Sequence, residues 1–111
     1  MKDKVSATKI RELNDAFRQT FKGGRVLVTH GVEALGGEVK AKVIAEVQSF
    51  AKFHKGNDPH HEHDFGSFTI DGQRYCWKMD YYDHAMSEHS VDPTKAEATI
   101  RVLTIMCADE Y

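Results

Sequence analysis

The sequence predicts an α+β domain in the order αβαβββ, with a mainly antiparallel sheet and two helices packed on one face. Three observations carry this expectation. Two stretches repeat apolar residues at steps of three and four, the spacing of one helix face. Two strand-like runs are joined by Asp71-Gly72, the residue pair that a two-residue type I′ hairpin turn prefers. The run TIRVLTIMC, residues 99–107, is apolar almost throughout and rich in β-branched side chains.

The first helix carries Ile10, Leu13, Phe17 and Phe21, with Ser6 or Thr8 as its N-cap and Gly23-Gly24 as its stop. RVLVTHG, residues 25–31, is a short β-branched run bounded by glycine and reads as a strand. Gly36-Gly37 opens the second helix, whose apolar face is Val39, Val43, Ile44, Val47 and Phe50. After Phe53 the composition turns polar and is broken by Gly56 and Pro59, so a loop of about ten residues follows. In the hairpin, the turn sets Ile70 opposite Gln73 and Thr69 opposite Arg74. Phe68, Ile70, Tyr75, Trp77, Met79 and Tyr81 then share the core face, while Ser67, Thr69, Arg74, Cys76, Lys78 and Asp80 share the other. Residues 84–98 are polar, with Asp92-Pro93 starting a turn or a short helix. The last run reads as a central strand, although Ile100, Leu103 and Cys107 also fit a helix.

A chain of 111 residues suits one domain, 1–111. Its 41% apolar and 29% charged residues are ordinary for a globular protein. No apolar run approaches the roughly 20 residues that span a bilayer. The start, MKDKVSATKIREL, lacks the apolar stretch of a secretory signal, so a cytoplasmic protein is expected. Cys76 and Cys107 lie far apart among apolar neighbours and read as buried free thiols. Charge is uneven. Up to Lys55 eleven bases face six acids, a net of +5; from Gly56 onward four bases face eleven acids, a net of −7. Such asymmetry marks either a charged partner surface or two halves that face one another.

NDPHHEHDFG, residues 57–66, concentrates the chemistry. Extending the hairpin register backwards sets His63 opposite Asp80 and His61 opposite Tyr82, on the same face as Lys78. His61 and His63 then project to one side and, with Asp80, make a two-histidine, one-carboxylate set suited to zinc, iron or manganese. For a metal-dependent enzyme the candidate ligands are His60, His63 and Asp80, with Glu62 or Asp64 as the candidate catalytic base. An ion pair between His63 and Asp80, a hydrogen-bonded structural site and a merely polar loop are the alternatives. Tyr81 is expected in the core and Tyr82 at the surface, and His30 is expected to be structural. FKGGRV lacks the phosphate-binding G-x-x-x-x-G-K-[ST] pattern, so nucleotide binding is unsupported, as is direct nucleic-acid binding; the histidine run lacks the H-E-x-x-H helix motif, which counts against a zinc site of that type.

Taken together, LNDAFRQTF with the following GGRV, NDPH and EHDFG, WKMDYYD and RVLTIMCADEY resemble a family of small bacterial proteins of unknown function, frequent in alphaproteobacteria and their plasmids. The resemblance spans nearly the whole chain. It implies one short domain and places His60, Glu62, His63 and Asp64 within the family motif, with His61 outside it. By analogy with other small mobile-element proteins it implies a non-enzymatic, protein-binding role, for example blocking a restriction or CRISPR complex. The expected contact surface is Asp58, His60, Glu62, His63, Asp64, Lys78, Asp80, Tyr82 and Asp83. The alternative is a metal-dependent hydrolase or nuclease using the His60–Asp64 cluster with Asp80, holding zinc or manganese.

Overall fold

A computed structural model describes residues 4–111. Helix α1, Lys4–Thr20, buries Ala7, Ile10, Asn14 and Phe17 at steps of three and four, with Arg18 beside them. Ser6 and Thr8 lie inside this helix and not at its cap. It stops where Phe21 and Gly23 take positive φ angles of 59° and 106°, a conformation that ends a helical ladder. Strand β1, Gly24–Val28, follows at once. Gly24 has no room for a side chain, because a Cβ there would lie 2.5 Å from the Arg101 carbonyl and 2.7 Å from the Phe17 ring.

A one-turn helix α2, His30–Glu33, interrupts the expected order, and α3, Gly37–Ser49, buries Val43 and Val47. Strands β2, Phe65–Ile70, and β3, Gln73–Tyr82, form the hairpin. Asp71 and Gly72 both have positive φ, 51° and 82°, as a type I′ turn requires. The pairs run from Ile70 opposite Gln73 to Phe65 opposite Lys78, the expected register. Strand β4, Ile100–Cys107, settles the ambiguity of the last run: it is a strand with neighbours on both sides.

The sheet order is β1-β4-β3-β2. It is mixed and not mainly antiparallel, because β1 pairs parallel to β4 while the other two pairings are antiparallel. The reason is the helical crossover. Parallel strands need a long connection, and the chain leaves β1 through α2 and α3 to lay β2 at the far edge in the same direction as β1. The hairpin and the return through residues 83–99 then reverse the chain twice, and β4 enters between β1 and β3. The architecture is α+β in the order αβααβββ. Among the described residues no helix is long and apolar enough to cross a membrane.

One core joins Phe17, Val32, Val43, Val47 and Phe50 to Tyr75, Trp77, Met79, Leu103, Ile105 and Cys107. The strand residues among these alternate in sequence and so mark one sheet face, here the Trp77 face. Burying each large apolar side chain contributes about 1.5–3 kcal/mol. Both cysteines are free and buried.

Gly66 is a sensitive point of this packing. A Cβ at Gly66 would lie 2.5 Å from Trp77 Nε1 and 2.8 Å from the Phe50 ring. Gly66→Ala should therefore lower stability by about 1–3 kcal/mol through overpacking. Urea unfolding checks this, and an unchanged midpoint would contradict the contact.

Candidate functional site

The histidine run does not continue β2. The ladder extends one step beyond Phe65, where Met79 N donates to Asp64 O at 2.9 Å, and then ends. His61 and His63 have φ of 59° and 54°, left-handed conformations that an extended strand excludes. The apposition of His63 with Asp80, and of His61 with Tyr82, is therefore corrected: the backbone turns away before it reaches either pair.

The polar residues Asn14 and Asp15 of α1 receive the loop instead. His63 Nδ1 lies 2.9 and 3.0 Å from the two Asp15 oxygens, and Nε2 lies 3.5 Å from Asp58 Oδ2. The imidazole stacks on Phe53 with centroids 3.6 Å apart and planes 2° from parallel. The ring is thus held by Asp15 at one nitrogen, by Asp58 near the other and by Phe53 against one face. Asp58 also accepts the His63 backbone N–H at 2.9 Å, and its own N–H donates to His54 O at 2.8 Å. The neighbouring Asn14 donates to Tyr81 Oη at 2.8 Å and to the Glu62 carbonyl at 3.0 Å, and accepts from Arg101 Nε at 2.8 Å. Tyr81 donates in turn to Glu62 Oε1 at 3.2 Å, and the Arg101 guanidinium lies 5.4 Å over the Tyr81 ring and donates to the Pro93 carbonyl.

Arg18, 1% exposed, donates to the Val47 and Phe50 carbonyls and to Asp15 Oδ1, at 3.0, 2.9 and 3.0 Å. It lies 5.0 Å over Trp77 and 5.4 Å over Phe53. It thus joins α1 to the carbonyls at the end of α3, where a cation is favoured.

Burial dominates the electrostatics of this cluster. It raises the Tyr81 phenol far above its ordinary value and raises the Asp64 carboxyl, with Glu62 adding to the latter. It lowers Arg101, against which Tyr81 and Glu62 act.

The expected contact residues divide among three places. Asp58 and Glu62 are buried at 4% and 2% exposure, His63 and Asp64 are half-buried beside them, and His60 stays exposed on the loop. Lys78 and Asp80 project from the opposite face, the Lys78 face, paired at 2.8 Å. Tyr82 stacks on His89 at the strand end, and Asp83 accepts the Ser87 N–H at 3.1 Å, closing the next turn. His60, His63 and Asp80 are consequently not brought together as a ligand set. Lys78 and Asp80 line a groove of ≈ 330 Å³ with Thr29, Thr104, Met106, Glu110 and Tyr111.

Sequence reasoning missed Asn14, Asp15, Arg18 and Arg101. Two signals were present: Asn14 lies on the stripe of Ile10 and Phe17, and Arg101 alternates with Leu103, Ile105 and Cys107 on the Trp77 face. It also missed the C-terminal turn. There Glu110 accepts from Thr29 Oγ1 at 2.5 Å, the Cys107 N–H at 2.8 Å and the Gly31 N–H at 2.9 Å. These bonds pull its carboxyl down to about 2. Burial, helped by Glu110, pushes the Cys107 thiol up to about 11.

A family model described as protein of unknown function (DUF3768) matches residues 28–110, and the chain belongs to that family. No curated protein and no solved structure matches it. The matched span contains the loop, the sheet from Val28 onward and the C-terminal turn, while Asn14, Asp15 and Arg18 precede it.

Asn14→Leu strands the buried Arg101 Nε and should cost about 3 kcal/mol. His60→Ala, at an exposed position, should stay within about 0.5 kcal/mol of the parent. Chemical denaturation of the two variants checks the contrast, and equal losses would refute it. The depressed Glu110 carboxyl makes a second prediction. Its contribution is complete above the ordinary pKa of 4.5 and is lost as pH falls from there through about 2. The melting temperature should show a fall in that window, and Glu110→Gln should remove this part of the pH dependence.

Proposed function

We propose that this DUF3768 family member is a non-enzymatic protein-binding module whose contact surface is the Lys78 face of the sheet. The observation that carries the reading is the groove of ≈ 330 Å³ on that face, with Lys78, Asp80, Thr104, Met106 and Tyr111 in its lining. The register sets Leu27, Thr104, Lys78 and Phe65 in one row across all four strands. Tyr111 lies edge-on to Phe65, with centroids 5.5 Å apart. Leu27 is 53% exposed and Tyr111 75%. Exposed Tyr111 and Leu27 stand beside the Lys78–Asp80 pair and the Glu110 carboxylate, and an aromatic side chain at such a surface is typical of protein interfaces.

In this reading α1 and α3 cover the Trp77 face, leaving the Lys78 face to the partner, and Tyr82 and Asp83 extend the contact at the strand end. Asp58, Glu62, His63 and Asp64 act indirectly, by fixing the loop at the sheet edge. We place the module in the bacterial cytoplasm, as a mobile-element product that blocks a restriction or CRISPR effector. The support is charge: eleven acids against four bases from Gly56 onward suit a partner surface that otherwise holds phosphate.

The test is saturable binding of the purified chain to purified restriction and CRISPR effectors, measured by interferometry. Leu27→Asp changes an exposed edge position and should leave the melting temperature unchanged while weakening binding by about tenfold or more. Equal affinity of Leu27→Asp and the parent would exclude this face, and no saturable binding to either effector class would remove the anti-defence reading.

A further inference from the structure

We propose that Cys107, Asp109 and Glu110, with His30 as fourth donor, form a zinc-type metal site at the turn that ends β4. It lies apart from the histidine run and borders the Lys78 groove through Glu110, and it stands independently of the binding role.

Three of the four ligand atoms are already gathered. Cys107 Sγ and one carboxylate oxygen each from Asp109 and Glu110 lie within 4.8 Å of one another. Donors about 2.0–2.3 Å from a tetrahedral ion sit roughly 3.3–3.8 Å apart, so shifts of about an ångström close the set. The backbone holds this arrangement. Cys107 is the last residue of β4, paired opposite Tyr75 and 9% exposed. Ala108–Glu110 then form a 3₁₀ turn, whose geometry superposes residues three apart, and so Glu110 returns over Cys107. Thr29, Gly31 and the Cys107 N–H fix the Glu110 carboxylate in place. They occupy three of its roughly four acceptor positions, and the Cys107 thiol, hydrogen-bonded to the same carboxylate, holds the fourth with the proton that a metal ion would replace.

An independent element supplies the fourth donor. His30 begins α2, far from Cys107 in sequence, yet lines the same cavity of ≈ 510 Å³ as Cys107, Asp109 and Glu110. In the proposed site its exposed imidazole turns in from the rim. Thiolate and imidazole with two carboxylates favour zinc over calcium or magnesium, which take oxygen donors alone. Binding releases the thiol proton to solvent as the metal–sulfur bond forms. The ion would then tie the C-terminal turn to the corner between β1 and α2.

Cobalt(II), added to the full chain purified without an affinity tag, is the probe. A thiolate-to-cobalt charge-transfer band saturating at one equivalent is expected, competed away by zinc. Cys107→Ser should abolish the band and Cys76→Ser should keep it. Asp109→Asn, at an exposed position, should weaken cobalt binding by at least the roughly tenfold that loss of an outer partner costs, with an unchanged circular dichroism spectrum. A parent protein giving no charge-transfer band, or only the sulfur-free spectrum of surface histidines, overturns the proposal. So does a band that survives Cys107→Ser, or one lost in Cys76→Ser instead.

Discussion

Two guanidinium groups, Arg18 and Arg101, are buried in this small domain at 1% and 3% exposure, and much of the surrounding structure follows from giving their donors acceptors. A buried cation without partners costs several kcal/mol. Arg18 meets the requirement with the last carbonyls of α3 and the Asp15 carboxylate, and Arg101 with the Asn14 amide oxygen and the Pro93 carbonyl. The bonds to Val47, Phe50 and Asn14 cross between elements distant in sequence. Because Asp15 and Asn14 are neighbours on one helix, the two cations are linked through α1, and the loop carrying His63 and Glu62 docks on the same two residues.

This constraint changes the meaning of the histidine run. Five consecutive polar residues resemble a metal or acid–base site when taken alone. Here the imidazole of His63 is clamped between Asp15 and Asp58 and stacked on Phe53. Glu62 belongs to the hydrogen-bonded group around Tyr81. The loop is an interior anchor with an exposed rim at His60 and His61. The surfaces proposed to meet other molecules lie elsewhere, on the Lys78 face and at the C-terminal turn. Both share Glu110, which lines the two cavities from either side. A single acidic side chain at the end of the chain thus joins the β1–α2 corner, the last strand and both candidate surfaces.

The hairpin was fully legible in sequence. Asp71-Gly72 selects its turn, the turn selects the register, and alternation then selects which side chains enter the core, all through contacts between near neighbours. The α3 stripe was legible for the same reason, as was the body of α1. Its cap was not, since Ser6 and Thr8 lie within the helix. The short α2 escaped notice because four residues are too few to show a helical period.

By itself the sequence determined the α+β class, the helical stripes, the paired strands β2 and β3 with their register, and two buried thiols. Tertiary structure alone decided the parallel pairing of β1 with β4, since the direction of a strand relative to a distant one depends on the path of the crossover between them. It also decided where His63 goes. Two left-handed residues end the strand, and the partner that claims the imidazole lies 48 residues away in the chain, beyond the reach of any local pattern.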